Sequence, residues 1–129
     1  MIESQNTNLR DQQITLLRPE IIFTESQQPL ADFQAVLRQV LKLQNPILVK
    51  IALHFLSNKY KGFIQRDETI KKDLLLQSLK KDIPFKKMLL GLVVGLFTEA
   101  ETETYLQNEQ EINKRLVEFM YKRLSTQLF

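Results

Sequence analysis

Cysteine is absent from this 129-residue chain. That excludes disulfides, thiolate metal sites and cysteine nucleophiles, and it fits a reducing compartment, read here as the cytoplasm. Histidine occurs once, as His54. The only imidazole therefore stands far in sequence from the carboxylates Glu99, Glu101, Glu103, Glu109 and Glu111, and no ligand spacing for zinc or calcium forms. Long apolar runs are also lacking. The strongest, residues 88–97, has the ten residues MLLGLVVGLF, whereas a membrane span needs roughly 20. No membrane helix is expected, and the polar start, residues 1–11, has no apolar signal-peptide core. Phosphate-cradling glycine loops, a Ser/His/Asp arrangement and a zinc pattern are all missing, so the chain reads as a non-enzyme with no cofactor.

Charge is present but unevenly spread. Residues 1–41 carry three basic and five acidic side chains, a net −2. Residues 42–87 carry eleven basic and four acidic, a net +7, and residues 88–129 return to −2. A basic middle between acidic ends raises the possibility of an anionic partner. Lys80, Lys81, Lys86 and Lys87 flank the Asp82-Ile83-Pro84 corner and form the candidate anion- or partner-binding cluster. Lys71 and Lys72 do not extend it, because nine residues of helix turn about 900° and point Lys71 away from Lys80.

The pattern predicts an all-α fold: a compact bundle of about five helices around a buried central helix over 84–97, with an extended N-terminal arm. Residues 1–13 read as a disordered polar tail, 14–28 (with Pro19 inside an apolar run) as the arm, and 29–129 as a single helical domain. Pro29 opens a first helix, and Asn45-Pro46 reads as a stop followed by a fresh start. Asp67 caps a third helix, and Pro84 starts the apolar fourth. Thr98-x-x-Glu101 and Asn108-x-x-Glu111 are two capping boxes, predicting a short helix near 99–106 and a long one from about 109 to 126. A single helix from 99 is the alternative.

On the last helix the apolar arc spans about half the circumference, wider than the roughly 100° that one neighbour needs. Arg123 falls inside this arc. Glu111/Arg115 and Glu118/Lys122 are i,i+4 pairs on its polar side. In the fourth helix Gly91-x-x-x-Gly95 strips one face of side chains, which lets another helix approach. Gly91, Gly95, Val117, Tyr121 and Leu124 are the candidate dimer or helix-packing contacts. The surplus of apolar helix surface predicts a protein–protein interaction module (an adaptor, assembly factor or regulator) that forms a homodimer. The alternative is a nucleic-acid-binding regulator using the basic middle. Against it, the final helix opens with Glu109 and Glu111, which repel phosphate.

Overall fold

The computed structural model describes residues 2–18 and 31–128, with side chains from 9–18 and 32–128. Six α-helices and no strand occur among the described residues. They are α1 (Ile2–Leu17), α2 (Ala31–Lys59), α3 (Glu68–Lys81), α4 (Ile83–Val94), α5 (Glu99–Gln107) and α6 (Glu109–Ser125), with a 3-10 turn at Phe63–Gln65 after α2. The all-α bundle expected from the sequence is what forms. No described helix is long and apolar enough to cross a membrane.

α4 packs against α2, α3 and α6, which makes it the hub of the bundle. Asp82 caps its N-terminus by accepting the Phe85 amide, and Pro84 occupies the first turn, where its missing N–H costs nothing. Phe85, Leu89, Leu90 and Val93 are buried and join α2 and α6 in one core with Leu48, Leu56, Leu116 and Met120. Phe85 stacks on Phe55 of α2 at 4.3 Å between centroids. Burial is not all round, however. Pro84, Met88, Gly91 and Gly95 follow one another at i+4, i+3 and i+4 and lie on the solvent side. The helix also stops at Val94, and residues 95–97 form a turn closed by Leu96 N–H to Val93 and Phe97 N–H to Val94.

Three local expectations need correction. The first is Asn45-Pro46, which does not divide the chain: α2 runs unbroken through Pro46. A proline inside a helix costs about 3 kcal/mol. Fully burying a leucine gains about 1.5–3 kcal/mol, and Leu41 before the proline and Leu48 and Leu56 after it are all fully buried on one continuous face. Packing therefore outweighs the local stop signal. Asn45 is not a cap. It exchanges two amide hydrogen bonds with Gln127, donating at 2.7 Å and accepting at 2.8 Å. α2 ends at Lys59, and Gly62 nearby takes the left-handed conformation (φ 70°) that turns the chain toward α3.

The second is Asn108. The break between α5 and α6 is real, but its capping box is not. Asn108 makes no cap bond to α6; its Nδ2 donates backward to the Thr104 carbonyl. The Thr98 box does form: Thr98 Oγ1 accepts the Glu101 amide, and Glu101 Oε1 accepts the Thr98 amide.

The third is the N-terminus. Residues 2–17 are helical rather than a disordered tail leading into an extended arm. Pro19 follows this helix instead of interrupting it, and it biases Arg18 away from the helical region. The remainder of the predicted arm, residues 19–28, lies outside the described residues. What holds α1 is distant in sequence. Arg10 donates to the Gly95 and Phe97 carbonyls, both at 3.0 Å. Arg18 donates to the Leu96 carbonyl at 2.9 Å and makes a two-pronged bond to Glu101 at 2.7 and 2.5 Å. These carbonyls belong to the C-cap Gly95 and the turn that follows it, and the cations suit the negative end of the α4 dipole. Asp11 takes the Glu99 amide at the positive end of α5, and Ile14 is buried.

Candidate functional site

The surface offers two regions built from residues that the sequence singled out. The first lies where α3 and α6 pack side by side against the start of α4. It is a groove of about 650 Å³. Its floor is apolar: Leu76 and Leu79 from α3, Val117 and Tyr121 from α6. Val117 and Tyr121 are one helical turn apart and only partly buried, so part of the wide apolar arc of α6 stays uncovered although α2, α3 and α4 all pack on that helix. Lys80, Lys86, Lys114 and Lys122 stand around the floor, with Glu118 among them, a net of +3. Among the described residues none of these four lysines is in an ion pair. The i,i+4 pair Glu111–Arg115 closes at 3.2 Å, but the expected Glu118–Lys122 pair does not.

The lysine corner is thus split by the fold. Lys80 and Lys86 face the groove. Lys86 and Lys87 also border a neighbouring hollow with Ile83, Gly91, Tyr105 and Glu109, and Lys81 is exposed but lines no described cavity. Neither Lys114 nor Lys122 was a binding candidate in the sequence, where Lys122 reads only as the partner of Glu118. Their spacing of eight places both on the polar side of α6, and only the packing of α3 against α6 brings them opposite Lys80. Leu124 is fully buried inside the chain. Arg123 reaches Asn45 Oδ1 at 3.5 Å, within the chain.

The second region is the uncovered side of α4 beside α2. A hollow of about 540 Å³ is bordered by Ile51, Phe55, Phe85 and Met88, with His54 and Asn58 at its edge. Met88 is 55% exposed and Ile47, one turn before Ile51, is 45% exposed. The single charge in the lining, Lys59, is matched by Asp82 at 2.7 Å. Their hydrogen bond holds the Asp82 carboxyl below its ordinary range and the Lys59 ammonium above its own. Gly91 continues the Met88 stripe, and a Cβ built there meets nothing within 4 Å. The small-residue face is therefore not filled by a helix of the same chain.

His54 Nε2 lies 3.1 Å from Asn58 Nδ2, one turn on along the same helix, and no carboxylate is involved. Among the described residues no three His, Asp or Glu side chains come together as a metal site. Glu101 is committed elsewhere. Burial would raise its pKa, but the Arg18 guanidinium and the Thr98 amide outweigh that and hold it below the ordinary carboxylate value. Burial pushes the Tyr105 hydroxyl up, and that hydroxyl donates to Asn113 at 2.7 Å. Comparison with protein-family models, with curated proteins and with solved structures gives no match.

Proposed function

We propose that this chain is a non-enzymatic protein–protein interaction module, an adaptor, assembly factor or regulator, that works as a homodimer joined across the open side of α4. The observation that carries the reading is the exposed stripe Pro84–Met88–Gly91, beside the hollow of Ile51 and Phe55 and ending at Gly95, where Arg10 of α1 docks. A helix of this composition gains free energy when its remaining side is covered, at roughly 25 cal/mol per Å² of apolar surface. Gly91 adds a close-approach point, because only hydrogen separates its backbone from a neighbour.

A two-fold contact sets the same patch against itself. That arrangement suits the Ile51 and Phe55 hollow, whose one lining charge, Lys59, is already paired with Asp82, while Lys87 stands at the Gly91 edge. We place the module in the cytoplasm, and the lack of cysteine is compatible with a reducing compartment of that kind.

Sedimentation equilibrium at tens of micromolar tests it. The expected mass is twice the 15.2 kDa of the chain, and Met88→Glu returns it to the monomer with unchanged helical circular dichroism. A monomer throughout that range sinks the proposal, as does a dimer that tolerates Met88→Glu.

A further inference from the structure

The groove between α3 and α6 is separate from the α4 stripe and has a different chemistry. We infer that it receives an acidic, amphipathic helix from another protein, through its leucine-and-tyrosine floor and its four-lysine rim. The inference rests on reading the chain as an interaction module, but it concerns a second face.

Three observations select this occupant. The first is shape. The α6 residues along the groove run from Gln110 to Lys122, twelve helical steps or about 18 Å. Two packed helices with an apolar trough between them are the receiving half of a helix-in-groove contact, read by anchors at i, i+3 or i+4, and i+7. The second is the floor. Leu76, Val117 and Tyr121 are only partly buried although they flank the fully buried Leu79, so apolar area remains to be covered. The third is charge. Lys80 and Lys86 stand on the α3/α4 side and Lys114 and Lys122 on the α6 side, so a bound helix meets cations along both flanks of its apolar stripe. Glutamate and aspartate at those flanks complete the contact.

The same charge argues against a second copy of this chain. A two-fold contact through the groove would set its lysines against one another, at net +3 on each side. Duplex DNA fits less well, because a concave apolar floor contributes nothing to phosphate binding and Glu118 opposes it.

The test is selection of a displayed library of helical peptides, each about 14 residues long, on the full chain. Enriched sequences are expected to carry apolar residues at i, i+3 or i+4, and i+7, flanked by Asp and Glu. Fluorescence anisotropy with the best peptide should show affinity falling with salt and falling at least about tenfold in the triple variant K80E/K114E/K122E. The triple lysine-to-glutamine variant should fall between. Circular dichroism melts of both variants confirm that the fold is kept. Absence of enrichment overturns the inference, as do enriched peptides without acidic flanks or an affinity unmoved by charge reversal. Tighter binding of a short duplex DNA than of any selected peptide, with the same lysine dependence, also overturns it. The two proposals separate cleanly. Met88→Glu should abolish the dimer and leave peptide binding intact, while the lysine variants should do the reverse. A dimer lost in the lysine variants would make the groove the self-association face and end this inference.

Discussion

Gly91→Ala is the most informative single substitution, because its effects on folding and on association have opposite signs. In the isolated chain a methyl at Gly91 enters open space, with no atom within 4 Å. Only helix propensity then changes, and Ala exceeds Gly by about 0.8–1 kcal/mol in a helix interior. Unfolding entropy of about 2.1 cal/mol/K per residue gives roughly 0.27 kcal/mol/K for a chain of 129 residues, so the gain amounts to about 3–4 °C in Tm. Gly95, one turn on, is the internal control. A Cβ there stands 3.0 Å from the Gly91 carbonyl oxygen, a backbone atom with little freedom to give, so Gly95→Ala forfeits the gain. The assay is a thermal melt by circular dichroism at a concentration low enough to hold the monomer, paired with sedimentation at high concentration. Gly91→Ala should melt higher and dimerise more weakly, because the methyl now occupies the space into which a second backbone packs. A lower Tm in the dilute chain would refute the reasoning about open space. An unchanged dimer constant would refute the role given to the stripe.

Other substitutions test the fold that carries these faces. Pro46→Ala should stabilise, by up to about 3 kcal/mol in chemical denaturation, since the exposed ring removes a backbone donor from the interior of a continuous helix; a loss would mean that α2 depends on the proline. Thr98→Ala breaks a working capping box and should cost about 1 kcal/mol, whereas Asn108→Ala, which removes only a bond to Thr104, should cost less; equal losses in denaturant melts would contradict the assignment. The Glu101 carboxyl is held below its ordinary value of 4.5, so its contribution is complete above that value and is lost as pH falls through the lower folded one. Protection factors of the α1 amides, which are corrected for the intrinsic pH dependence of exchange, should therefore fall on acidification below that value. Glu101→Gln, which keeps the box but not the ion pair with Arg18, should lower protection already at neutral pH and flatten its pH dependence.

Elements whose causes are local were legible in the sequence. Thr98 caps because its partner stands three residues on, and Asp82 and Pro84 start α4 for reasons within one turn. Where a distant residue decides, local signals misled. Asn45 looks like a cap until Gln127, 82 positions away, takes both of its amide groups. Residues 2–13 look disordered because Arg10 and Asp11 find their partners near residue 97. The groove follows the same rule. Val117, Tyr121, Lys80 and Lys86 were visible as separate candidates, and only the docking of α3 on α6 made them one surface and added Lys114 and Lys122. The apolar character of α4 was read correctly, but apolar composition does not by itself supply cover, and Met88 and Gly91 remain in solvent.

The bonds from α1 to the α4–α5 turn also set an order of events in time. Arg10 and Arg18 meet groups 78 to 87 residues further along the chain. At the roughly 5–20 residues per second of protein synthesis, α1 emerges about 4–17 s before the turn that receives it has been made. Through that interval its arginines have water for partners and the rest of the bundle has not formed. Docking of the first helix waits for the α4–α5 turn, and a nascent chain halted before Glu101 would present α1 without the junction that holds it.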